Sequence, residues 1–199
     1  MNLLQNTIRL RSRRALAVGV MMASGLAALT LPAFRAGADD TNPTTLNLPA
    51  PELVGAQWAN TPDNTPVTLA SRRGKVTIVQ FWTYGCINCR HNLPAYSKWQ
   101  KQFAAKDVAI LGVHTPETHD EANEANVRAH IRDYGITYPV LIDAKSVNWK
   151  RWDQHYWPTV YLLDKKGKVR YRWEGELEYD GQNGTRKLAG LVDQLVSEK

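Results

Sequence analysis

The chain has 199 residues, with 25 Lys and Arg against 19 Asp and Glu and a formal net charge of +6. That excess sits in residues 1–38, which hold Arg9, Arg11, Arg13, Arg14 and Arg35 and no acid; the remainder is close to neutral and argues against nucleic acid as a partner. The length suits one domain with a proper core, and Cys86 and Cys89 are the only cysteines.

The N-terminus reads as an export signal. An arginine-rich start precedes an apolar run from Ala15 to Leu31 and the small-X-small site Ala36-Gly37-Ala38, which predicts a mature chain beginning at Asp39 in the periplasm. Ser12-Arg13-Arg14-Ala15-Leu16 also resembles a twin-arginine signal; ordinary Sec export and an uncleaved anchor facing the periplasm are the alternatives. Residues 39–57, rich in Pro, Thr and Asn, read as an extended lead-in to a domain over residues 58–199. Val67 to Leu69 is expected as a short edge strand.

The apolar run Val76 to Thr83 predicts a buried strand that turns through Tyr84 and Gly85 into a helix, since Leu93, Tyr96, Trp99 and Phe103 fall at helical spacing. Pro94 lies inside that helix and predicts a kink. Val108 to Val113 is continuously apolar, as a strand covered on both faces should be, and is expected to run parallel to the first. A polar helix from about Asp120 to Tyr134 follows, then a strand over Tyr138 to Asp143 and a short helix over residues 146–154. Trp157 to Asp164 and Val169 to Trp173 form a hairpin around Lys165-Lys166-Gly167-Lys168. Leu188, Leu191, Val192, Leu195 and Val196 mark a C-terminal amphipathic helix. The order predicts an α/β fold with a mixed central sheet and helices on both faces.

The two cysteines sit where the strand becomes the helix. The first amides of a helix lack internal partners and carry partial positive charge, which favours a thiolate there. Cys86 is therefore the expected nucleophile, and Cys89, one turn on and less exposed, the resolving sulfur. A structural crosslink is the plainer alternative, but so short a loop gains only about 2 kcal/mol from closure in the chain-entropy model. A c-type haem site would need histidine where Arg90 stands. A zinc site would have to recruit His114 and His119 from beyond the usual intervals. The dithiol chemistry itself calls for no metal and no cofactor.

Phe81-Trp82 before the cysteines, Cys86-Ile87-Asn88-Cys89, Pro94, and Trp157-Pro158-Thr159 before the hairpin together resemble the thioredoxin superfamily. The extra strand-helix unit after the active-site helix, and the string Gly112-Val113-His114-Thr115-Pro116-Glu117, look most like its exported TlpA/ResA-like and DipZ-like branch. The resemblance implies a thioredoxin-like three-layer fold and a redox-active Cys86–Cys89 pair. It further implies a cis bond before Pro158 and a substrate strand held against Trp157, with Trp82 and Tyr84 as further substrate-binding candidates. Glu117 matches an acid taken to manage protons near the dithiol; a plain loop glutamate is the alternative. His91 and His114 are weighed for direct roles against surface and packing roles. Trp149, Trp152, Tyr156 and Trp157 are candidates for a substrate groove or for ordinary core.

The implied activity is thiol-disulfide exchange with protein thiols and disulfides, apocytochromes or other exported proteins being candidate substrates. The branch favours a reductant supplied by a membrane electron donor, and nothing in the sequence signals an oligomer. The departures are Gly85 where thioredoxin has Trp, Gln80 where it has a buried acid, and Ile87-Asn88 in place of Gly-Pro. These intervening residues tune the potential, so thioredoxin's reducing strength does not transfer. A peroxiredoxin-like peroxidase, suggested by Thr83-X-X-Cys86, and a metal or haem chaperone using the same sulfurs are the rival functions.

Overall fold

A computed structural model describes residues 42–199; the expected export signal and cleavage site lie outside the described residues. The segment opens with β1 (Thr44–Pro49) and the two-residue β2 (Trp58–Ala59). Then come β3 (Thr77–Trp82), α1 (Ile87–Gln102), β4 (Ala109–His114), α2 (Glu124–Asp133), β5 (Val140–Ile142) and α3 (Val147–Arg151). The hairpin β6 (Thr159–Leu163) and β7 (Lys168–Glu174) leads to α4 (Gly184–Ser197).

The strands of the described residues make one sheet in the order β1-β7-β6-β3-β4-β5-β2. β3, β4 and β5 are mutually parallel and every other pairing is antiparallel, which gives the mixed sheet expected from the element order. Alternation along β3 explains why it is buried throughout and mostly apolar, Thr77 and Gln80 excepted. Ile78 and Trp82 enter one core with Tyr96, Trp99, Val127, Leu188 and Leu195, whereas Val79 and Phe81 enter a second with Leu53, Trp58, Leu111 and Trp152. Successive strand residues point to opposite faces, so a strand covered on both sides has no solvent-facing side. The first core is roofed by α1, α2 and α4; the second by α3 and the chain before β3.

Three expectations change. Residues 39–57, expected as a lead-in, supply β1, which pairs with β7 at the sheet edge. Val67 to Leu69 forms no strand; the carboxylate of Glu52 accepts the amides of Leu69 and Ala70 at 2.6 and 3.0 Å and folds the chain into a 3-10 turn. The helix expected from Asp120 begins as a 3-10 turn over Asp120–Ala122. It becomes α-helical only after Asn123, whose Oδ1 caps the amides of Ala125 and Asn126. Pro94 lies within α1, which continues through it to Gln102.

Candidate active site

β3 delivers the chain to the dithiol. Beyond Trp82 a tight turn forms, the Cys86 amide donating to the Thr83 carbonyl at 3.4 Å, and Cys86 becomes the N-cap of α1. Its sulfur accepts the Cys89 amide at 3.2 Å. Cys86 is half-buried, whereas Cys89 is 1% exposed and belongs to the core cluster.

This geometry separates the two thiols. The Cys89 side chain hydrogen-bonds to the Cys86 sulfur and, with the Cys89 and Asn88 amides, outweighs burial and the charge of Glu117, pulling Cys86 down to about 7. Burial first, then the neighbouring Cys86, pushes the Cys89 thiol far up. At neutral pH one sulfur is substantially ionised and the other holds its proton. The pair is strongly interacting, so the two protons leave as properties of the dithiol.

The peptide bond between Trp157 and Pro158 is cis. Its loop is tied to the dithiol helix by two bonds through one residue: the Gly175 amide donates to the Pro158 carbonyl at 2.8 Å, and Asn92 Nδ2 donates to the Gly175 carbonyl at 3.2 Å. Asn92, 1% exposed, also accepts the Leu177 amide at 2.8 Å. Sequence reasoning missed this residue, because a lone asparagine in a helix carries no signal of what its side chain meets.

Trp157 is half-buried and stacks on Trp149 with ring centroids 3.9 Å apart. Tyr156 beside it is 60% exposed, so these rings present an aromatic surface. Trp152 is not part of it; it is 6% exposed and packs on Phe81 and Tyr161. Trp82, expected to touch substrate, is 1% exposed with its edge against His114, and so acts on the site only through its neighbours. Tyr84 is half-buried, its ring stacked with those of His130 and His114 at centroid distances of 4.0 and 5.6 Å.

His114 is fully buried at the end of β4. Its Nε2 accepts the Tyr84 amide at 3.3 Å and lies 3.2 Å from the Thr83 hydroxyl, so the ring proton sits on Nδ1. Burial pushes its pKa down to about 4, which makes it a neutral brace for the turn before Cys86. His91 is exposed, with Nδ1 3.0 Å from Glu176 Oε2. Gln80, at the place of thioredoxin's buried acid, is fully buried and donates to the Tyr138 hydroxyl at 3.2 Å.

Glu117 is exposed, and its charge opposes ionisation of both cysteines. The buried carboxylate nearby is Glu121, 3% exposed, which sequence reasoning did not single out. Among the described residues no group of three or more His, Cys, Asp or Glu side chains is placed to hold a metal ion.

The model of the AhpC/TSA family matches residues 47–172. The chain is 40% identical over 150 residues to Protein DipZ of Mycobacterium tuberculosis, covering 75% of this chain and 21% of that protein, so it spans about a fifth of that relative. It is 24% identical over 155 residues to the thiol-disulfide oxidoreductase YkuV of Bacillus subtilis, covering 77% of this chain and 97% of the relative. Among solved structures, the crystal structure of a thioredoxin-like superfamily protein matches with a TM-score of 0.67 and 27% identity, over 76% of this chain and 98% of its own.

Proposed function

This chain belongs to the AhpC/TSA family and has the thioredoxin-like fold, and from that premise we propose that it is an exported thiol-disulfide oxidoreductase acting on protein disulfides through Cys86 and Cys89. The observation that supports this best is the division of labour in the dithiol: a half-exposed Cys86 at the start of α1, and a buried, protonated Cys89 whose amide reaches the Cys86 sulfur.

The Cys86 thiolate attacks one sulfur of a substrate disulfide, forming a mixed disulfide and releasing the other as a thiolate. Cys89 then loses its proton, with Glu117 the candidate acceptor, and attacks Cys86. The second substrate thiolate leaves, and Cys86–Cys89 is oxidised by two electrons. The Trp157-cis-Pro158 loop offers backbone for a substrate strand, and the Trp157 and Tyr156 rings offer apolar surface beside it. A membrane electron donor restores the dithiol, and exported proteins are the substrates, as the resemblance of the motifs to the TlpA/ResA-like and DipZ-like branch implies. No helix of the described residues is long and apolar enough to cross a membrane.

Insulin reduction by the wild type and by Cys86→Ser tests the chemistry. Turnover should vanish in the variant, and unchanged turnover would overturn the proposal. The Cys86–Cys89 potential tests direction: a value near that of thioredoxin, about −270 mV, fits a reductant, and one near DsbA, about −120 mV, reverses the assignment. Peroxide consumption exceeding insulin reduction, with a sulfenic acid trapped at Cys86, would favour a peroxidase instead.

A further inference from the structure

Glu121 is an acid at the start of a polar helical stretch, a position that normally faces solvent, yet it is 3% exposed. Its two carboxylate oxygens face different parts of the chain. Oε1 accepts the amide of Gly85, the residue immediately before Cys86, at 3.0 Å. Oε2 accepts the amides of Glu117 and Thr118, at 2.7 and 2.8 Å. The turn that presents the reactive sulfur and the loop that presents the exposed acid thus meet on one side chain.

Gly85 shows how closely the two are fitted. A Cβ at that position would stand 2.3 Å from Glu121 Oε1, far inside contact distance. The absence of a side chain before Cys86 is what admits the carboxylate.

We propose that Glu121 is a positioning residue of the dithiol site, clamping the Cys86 turn and the Glu117 loop at a fixed separation through one oxygen each. The assignment deepens the oxidoreductase reading and rests on it. Burial alone pushes the Glu121 carboxyl up, but the amides of Thr118 and Glu117, the Thr83 hydroxyl and the Gly85 amide more than offset this and hold it below the usual carboxylate range. It is therefore an anion throughout the working pH, able to accept from amides on both sides at once. Glutamine in its place presents one accepting oxygen and an N–H2 group that faces an amide donor.

The groups facing Cys86 are Cys89 and Tyr96 from α1 and Glu117 from the loop; those facing Glu121 are His114 from β4 and Tyr84 from the turn. The function assigned to Glu121 is thus to make the Glu117 charge felt at the sulfur. A double-mutant cycle on the reduced protein reads this directly, through the pH midpoint of Cys86 alkylation by iodoacetamide. In the wild-type background Glu117→Gln should lower that midpoint by about half a unit, because a like charge has been removed. In the Glu121→Gln background the same change should move it by less than about a third as much, the loop no longer being held.

Equal shifts in both backgrounds, or no shift in the wild type, overturn the proposal, whatever Glu121→Gln does to thermal stability. Gly85→Ala is a second route if Glu121→Gln does not fold: its methyl displaces the carboxylate without removing it and should weaken the Glu117 effect in the same way. An undiminished effect there also overturns the assignment. The readout is thiol ionisation, so it separates failure of this clamp from failure of the oxidoreductase reading, which insulin turnover decides.

Discussion

At the scale of single residues, the asymmetry between the two sulfurs has a direct kinetic signature. Thiolate is the alkylated species, so the rate at Cys86 should fall as pH drops below about 7, whereas an ordinary thiol loses reactivity below about 8.5. Cys89, buried and far harder to ionise, should remain unmodified at pH 8 in Cys86→Ser. Mass spectrometry of the iodoacetamide adducts checks both statements, and a Cys86 midpoint at the ordinary thiol value removes the physical basis for its role. Much of this site is legible in the chain, because two cysteines one helical turn apart after a strand specify a helix start, and a helix start specifies which sulfur ionises. Glu121 is not legible in the same way. It and Glu117 are both acids in a polar stretch after a strand, and only the folded loop decides which is buried. The available hint is Gly85, a residue without a side chain where thioredoxin places a tryptophan.

At the scale of elements, the aromatic surface beside the cis-proline depends on a helix of only five residues, Val147–Arg151, too short to persist unaided. Ser146 provides no side-chain cap for it. Asp143, at the end of β5 and 5% exposed, supplies one from three residues earlier. Its carboxylate accepts the amides of Val147, Asn148 and Trp149 at 2.8, 2.9 and 3.0 Å and the Asn148 side chain at 3.2 Å. Asn148 in turn bonds both the amide and the carbonyl of Val54, anchoring the chain before β2. Asp143→Ala leaves several buried donors without a partner and should cost about 2–3 kcal/mol, measured as a fall in the urea midpoint with little change in slope. Trp149 loses its fixed seat under Trp157, so KM for a peptide disulfide should rise as well. A variant of wild-type stability and KM would show that α3 is held by packing alone. The strands that depend on apolar runs are readable from sequence, whereas β1 (TTLNLP) is mostly exposed and β2 has two residues, so neither carries an internal pattern. What makes them strands is the presence of β7 and β5 to pair with, which is tertiary context.

At the scale of the whole molecule, the dithiol links stability to pH in a way that separates the reduced protein from the oxidised one. Cys86 ionises at about 7 in the folded chain and at about 8.5 when unfolded. Between those values the unfolded chain binds more protons, so the reduced fold gains stability as pH rises, and loses that gain as pH falls through about 7. Cys89 behaves oppositely. Its folded pKa is raised, so above about 8.5 the unfolded chain releases a proton that the folded chain retains, and stability declines. The stability of the reduced protein relative to the oxidised one should therefore climb from pH 6, peak near about pH 8.5 and fall by pH 10. The oxidised form lacks both thiols and cancels the remaining titrating groups, so urea titrations of the two forms in parallel isolate the effect. A difference that is flat across this range would mean that folding does not perturb the sulfurs, leaving helix start and burial without chemical consequence. The predicted maximum also bears on direction, because whatever stabilises the reduced fold makes the disulfide more oxidising. The potential should thus rise, relative to a simple dithiol, between pH 7 and 8.5, where Cys86 is ionised only in the folded protein.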